Sequence, residues 1–114
     1  MRIINLRNNV VLADKVKLAN TFWSRLVGLL NRSSLEKGEA LVLKPSYAIH
    51  TLFMRFSIDA LFLDKNSNVV GIIHAIKPFR FSPAYFGGQL TIEFPEKTLQ
   101  TTQTQLGDVI KIDE

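Results

Sequence analysis

The residues whose types and spacing could do chemistry lie in one stretch, residues 49–64, which reads I-H-T-L-F-M-R-F-S-I-D-A-L-F-L-D. Here a dense apolar run carries His50, Thr51, Met54, Arg55 and Asp59. Asp59 is the most informative of them. In a strand it shares a face with Leu61 and Leu63, where an unpaired carboxylate is costly, so it must have a partner or reach water. One reading makes it a structural carboxylate bonded to backbone N–H groups or to an arginine such as Arg55 or Arg25. The other makes it a ligand-contacting or acid/base carboxylate in a cleft. His50, five residues before Arg55, suits a proton shuttle, an anion contact or a satisfied buried imidazole. His74 shares a strand face with Val70, Ile72 and Ile76, the usual setting of a packed core imidazole. If Asp64-Lys65-Asn66-Ser67-Asn68 is a turn, Leu63 faces Val69, Asp59 faces Ile73 and His74 falls opposite Ile58 on the other face. That register forbids an Asp59–His74 dyad, and a slip of one residue reverses the conclusion.

Other chemistries lack their signatures. A metal site would have to draw on His50, His74, Asp59, Asp64 and perhaps Glu93, but no pair has a known ligand spacing, so no metal is expected. The serines and threonines have no nucleophile-elbow context, Gly87-Gly88 is no phosphate loop, and no dinucleotide fingerprint occurs, so no cofactor is assigned. Without cysteine the chain has no disulfide, thiolate nucleophile or sulfur-ligated metal.

The elements that must position these residues are mostly strands. Residues 1–6 and 10–12 flank the turn signal Asn8-Asn9 and suggest a short hairpin. From Asn20 the period changes: Phe22, Trp23, Leu26, Val27, Leu29 and Leu30 recur at helical spacing, with Asn20 or Thr21 as N-cap, predicting a helix over about 20–31 that packs a broad apolar face on a sheet. Gly28 inside it would cost about 1 kcal/mol relative to Ala, which calls for a close backbone approach as compensation. Arg25 lies on the same side, either as a solvated charge or leaning over the core toward a carboxylate. The Trp23 face reads as core rather than membrane anchor. Strands follow at 39–43, 58–63, 69–76, 90–94 and 109–112. In the fourth of these, Leu90, Ile92 and Phe94 share one face while Thr91 and Glu93 take the other. The runs at 58–63 and 69–76 do not alternate cleanly, so both their faces should be covered. After Pro95 a threonine-rich segment allows one or two helical turns. The class is α+β, mainly β: a small barrel-like or strongly curved antiparallel or mixed sheet with one packed helix.

Composition sets outer limits. The 114 residues, 46% apolar and 21% charged, suit a single soluble domain spanning 1–114. No apolar run is long enough to span a bilayer and no signal peptide is evident, so a cytoplasmic location is expected. The net charge of +4 is uneven, with nine Lys/Arg and three acids in residues 1–57 against five and seven in the remainder. The basic residues are scattered rather than clustered, which argues against a nucleic-acid partner.

Several of these residues form a pattern: Arg25-x-x-Gly28-Leu29-Leu30, then Ile49-His50-Thr51-x-x-Met54-Arg55-Phe56-x-Ile58-Asp59-x-x-Phe62-Leu63-Asp64, then Val69-Val70, Pro78, Glu93-Phe94-Pro95 and Gly107-Asp108. The pattern resembles the domain-of-unknown-function 192 family over nearly the whole chain from Val16. The resemblance implies a small β-rich, barrel-like prokaryotic domain with a helix and no assigned activity, whose members often carry export signals. Leu30 stands where that family usually has methionine, Ser57 where it has proline, and Lys97 where it has glycine.

Three functional expectations follow. The first is a binding or accessory module with a polar pocket around His50, Arg55 and Asp59, joined by Thr51, Met54 and Arg25, which receives a small ligand or a partner's peptide, Arg55 meeting an anionic group. The second is an enzyme with Asp59 as general base and His50 or Arg55 stabilising developing negative charge, although no catalytic motif supports it. The third is nucleic-acid binding through the basic first half.

Overall fold

The computed structural model describes residues 1–30 and 32–113 and is α+β, mainly β. Its elements run β1 (Arg2–Asn5), β2 (Val10–Ala13), β3 (Lys15–Ala19), α1 (Phe22–Val27), β4 (Glu39–Leu43), β5 (Ile58–Asp64), β6 (Val69–Ile76), β7 (Gly88–Pro95), α2 (Thr98–Thr101) and β8 (Ile110–Asp113). Instead of one closed or barrel-like sheet there are two open ones, a three-stranded sheet ordered β2-β1-β8 and a five-stranded sheet ordered β3-β4-β7-β5-β6. An isolated bridge between Asn68 and Val109 connects the start of β6 to the segment before β8.

Alternation along the central strands explains why their sequences look uniformly apolar. Val42 of β4, Leu61 and Leu63 of β5, and Ile92 and Phe94 of β7 point into a cluster with Ile3, Leu12 and Ile110 of the smaller sheet and Leu99 of α2. Leu41, Leu43, Ile58, Ala60 and Phe62 point the other way, into a second cluster closed by Leu29, Ile49 and Met54. Both faces of β5 are therefore covered, as the missing alternation at 58–63 predicts, whereas β6, expected to be covered as well, is an edge strand that leaves His74 and Ala75 exposed. The hairpin turn forms where expected: Asp64 Oδ1 accepts the N–H groups of Asn66 and Asn68, each at 2.9 Å. The N-terminal hairpin, the strand at 39–43 and the single short turn of α2 also follow the sequence reading.

The helix departs from it. Thr21 and Ser24 cap one another reciprocally, but α1 ends after six residues because Gly28 takes φ 49°, a left-handed value that an ordinary side chain resists. Gly28 thus closes the helix rather than sitting inside it; Leu29 and Leu30, expected to continue the helix, lie in a turn instead, and Asn31 is outside the described residues. No residue of α1 is buried, so the expected packed apolar face is absent, and Trp23 is 70% exposed rather than in the core. Strand β3, which the sequence reading lacked, pairs in parallel with β4 from Lys15↔Glu39 to Ala19↔Leu43. It is an edge strand, where exposed Lys15 and Lys17 suit a border against other chains.

The β5–β6 register begins as expected with Leu63↔Val69, but two irregularities carry it to Ala60↔Ile73 and Ile58↔Ile76. His74 is exposed in consequence, not packed in the core. At Gly71 a Cβ would stand 2.5 Å from the Tyr85 ring, which itself lies 4.3 Å, centroid to centroid, from Phe62. Gly71→Ala should displace Tyr85 and lower stability by about 1–2 kcal/mol in urea denaturation. A stability equal to that of the parent chain would show that the ring yields freely.

Candidate functional site

The sequence fixes a cavity by where it breaks its own elements. Gly28 stops α1, Pro45 follows β4, and the irregular segment to His50 must cross in front of the sheet. Together with β7 they bound an open cavity of about 470 Å³ on the face of the second apolar cluster. Leu29, Leu43, Ile49 and Met54 form apolar walls, and Arg25, Tyr47 and His50 also line it.

Glu93 lies in this wall. It is only 4% exposed, because β7 is held between β4 and β5 and the alternation that sends Ile92 and Phe94 to one core sends Glu93 to the other side. Burial pushes its carboxyl up from the ordinary 4.5 to about 8. No side chain or N–H among the described residues hydrogen-bonds to it, and no cation lies within ion-pairing distance in the described ion pairs. A neutral carboxyl facing an apolar cavity can donate a hydrogen bond to an occupant or, on ionising, pair with a cation.

The structure distributes the residues singled out by sequence between this cavity and its frame. Arg25, His50 and Met54 line the cavity. Arg25 leans over its edge toward a carbonyl instead of a carboxylate, with Nη1 donating to Pro45 O at 3.1 Å and Nε to Thr21 O at 3.3 Å. His50 rests against Phe81 with centroids 6.3 Å apart, and its Nδ1 accepts the Leu52 N–H at 3.3 Å. Thr51 is fully buried and staples two segments: Oγ1 donates to Lys77 O at 2.6 Å and accepts the Arg80 N–H at 2.9 Å. Arg55 is exposed and does not line the cavity.

Asp59 is fully buried on the opposite face of the sheet, that of Leu61 and Leu63. Oδ1 accepts the Ala75 N–H and Oδ2 the Leu99 N–H, each at 2.9 Å. The first bond holds Ala75 at φ 51° in the irregular part of β6. The second caps α2, whose own N-cap, Lys97, supplies no side-chain bond and sits at φ 74°, a conformation suited to the glycine that the family resemblance implies there. Neither oxygen bonds His74 among the described residues, so the two do not form a dyad.

Sequence reasoning considered Glu93 only as a metal ligand. Its signal was an acid in the middle of an apolar strand that two others flank. Among the described residues no group of three or more His, Asp or Glu side chains is arranged to hold a metal ion.

The fold and cavity define a small two-sheet domain with an apolar recess whose wall includes a buried carboxyl. The chain belongs to the domain-of-unknown-function 192 family, DUF192, described as uncharacterized ACR, whose family model matches residues 3–112. It is 31% identical over 112 residues to a UPF0127 protein of Thermococcus sibiricus, covering 95% of this chain and 72% of that one. It is also 31% identical to a UPF0127 protein of Pyrococcus horikoshii, covering 96% of each. A crystal structure of a protein of unknown function from Novosphingobium aromaticivorans superposes with a TM-score of 0.85 over 97% of this chain and 82% of that one, at 17% identity, and shares the fold.

Proposed function

We propose that the protein is a binding module whose cavity takes a small, largely apolar molecule with one hydrogen-bond-donating or cationic group. The observation that carries this reading is Glu93: an ionisable group held in an apolar wall at a cost to folding, bordering open space and given no protein partner among the described residues. Apolar walls would supply affinity and Glu93 would fix orientation. In this reading Arg25, His50 and Met54 belong to the receiving surface, Thr51 and Asp59 hold its frame, and the exposed Arg55 would meet an anionic group.

Titration with indole, phenol and benzylamine, followed by backbone amide shifts, tests this. Shifts concentrated at Leu29, Ile49 and Glu93, and lost in Ala48→Phe, which fills the cavity from an exposed position, are expected. Absence of shifts at those residues, or their persistence in the filled variant, would overturn the proposal.

A carboxyl that keeps its proton near neutral pH is also what a general acid requires, which supports an enzymatic second reading with Glu93 rather than Asp59 as the proton donor. Glu93→Gln separates the two: a binding module loses affinity for benzylamine, whereas an enzyme keeps binding and loses turnover.

A further inference from the structure

Around the cavity, one face of the molecule combines exposed aromatic rings with cations. Every Phe, Trp and Tyr side chain that is exposed among the described residues lies in residues 21–30, 44–57 or 77–87. Those three segments contain Arg25, Lys44, Arg55, Lys77 and Arg80 and not one of the chain's ten Asp and Glu residues.

The segments are tied into one surface. Thr51 N–H donates to Arg80 O at 2.8 Å, Ser82 N–H to Ile49 O at 2.9 Å and Tyr85 N–H to Tyr47 O at 2.8 Å. Phe53 and Phe79 meet edge to face at 5.5 Å, Tyr47 and Phe86 stack at 6.1 Å, and Phe81 leans on His50. Helix α1 joins them across the cavity, which Arg25, Tyr47 and His50 line together, and displays Phe22, Trp23, Leu26 and Val27 to solvent.

We propose that this face docks on the surface of an anionic lipid bilayer. Aromatic rings on projecting segments suit the depth of lipid headgroups, where an apolar body and a wet surrounding coexist, and interspersed cations meet the negative surface potential. The exposed Lys44, Arg55, Lys77 and Arg80 take part in no ion pair among the described residues and are available to it. Charge argues against a second copy of the chain as the occupant, since a self-paired face would bring two sets of these cations together with no acid between them. The exposed aliphatic Leu26 and Val27 beside the rings suit a hydrocarbon boundary and have no counterpart in stacking on a nucleic acid.

Trp23 is the chain's single tryptophan and stands on this face, so its emission reports docking directly. The test adds vesicles of phosphatidylcholine, alone or with about 30 mol% phosphatidylglycerol, to the intact chain at low salt. Blue-shifted Trp23 emission and co-sedimentation, at least about ten-fold stronger with phosphatidylglycerol and weakened by salt, are expected. Phe53→Ser/Phe81→Ser/Phe86→Ser and, separately, Arg55→Glu/Arg80→Glu should each reduce binding about ten-fold or more. All five positions are exposed, and unchanged circular dichroism would show that the folds are intact. The proposal is overturned by an unshifted Trp23 without co-sedimentation, by binding that both variants retain, or by burial of Trp23 through self-association or on an oligonucleotide without any affinity for vesicles.

Discussion

Asp59→Asn should lower the stability of this protein by about 2–3 kcal/mol, although the two side chains have almost the same shape. Asp59 meets two backbone donors, the N–H groups of Ala75 and Leu99, one with each oxygen. An asparagine has one carbonyl oxygen, so one N–H would face an amide N–H₂ group in a buried site. The cost combines a lost charge-assisted bond with an unsatisfied buried donor. Asp59→Ala, which abandons both donors, should cost more. Urea denaturation measures the loss. Amide exchange locates it, because Ala75 and Leu99 should lose protection before the rest of β6 and α2. A variant within about 0.5 kcal/mol of the parent chain would mean that water replaces the carboxylate and that the tie between β5 and α2 matters little.

Glu93 should make the protein less stable as pH rises through neutrality. Its folded carboxyl titrates at about 8 against an ordinary 4.5. Between those values the unfolded chain releases a proton that the folded chain keeps, so the unfolded state binds fewer protons and stability falls with pH. The contribution is fully present below about 4.5 and lost as pH passes about 8, with a slope of at most about 1.4 kcal/mol per pH unit. Carboxylates with the opposite shift act at acid pH. The Glu36 N–H holds Glu39 low, as the Asn68 N–H does Asp64. Asp108, which burial pushes up, is brought below its usual range by Arg7, Asn5 and the Gln105 N–H. Their stabilisation is lost as pH falls, outside the window of Glu93. Thermal melts from pH 5 to 8.5 should therefore show a decline in the parent chain and a nearly level profile in Glu93→Gln. The variant should be the more stable by about 2–4 kcal/mol at the upper end. Equal slopes would mean that Glu93 ionises near its ordinary value, with water reaching it through the cavity.

What the sequence made legible follows from local chemistry. Asp64 and Asn68 mark a turn whose bonds close within four residues, and β5 and β6 were placed by it. Parity with Leu61 and Leu63 was enough to require a partner for Asp59. It could not supply that partner, since Leu99 lies forty residues on and Ala75 is presented only after the β5–β6 register has shifted. The shift also explains His74, whose apolar neighbours suggested a core face that the irregular strand end turns outward. Phe22, Trp23, Leu26 and Val27 have helical spacing and α1 exists, but spacing shows that residues share a face, not that anything covers it. The position of Glu93 depended on β7 lying between β4 and β5, an arrangement of strands distant in sequence.

The pairing of β1 with β8, from Arg2↔Asp113 to Asn5↔Ile110, fixes when this molecule can finish folding as it is made. Of the described strands, the central one of the smaller sheet is made before the others and its second partner after them, so until β8 is made β1 and β2 can form no more than a two-stranded hairpin, marginal on its own. Until β8 arrives, Ile3 and Leu12 lack Ile110, with which they later form a core. A nascent chain stalled before residue 110 would thus leave part of the apolar side of the larger sheet uncovered, and its protease resistance should appear only once β8 has cleared the exit tunnel.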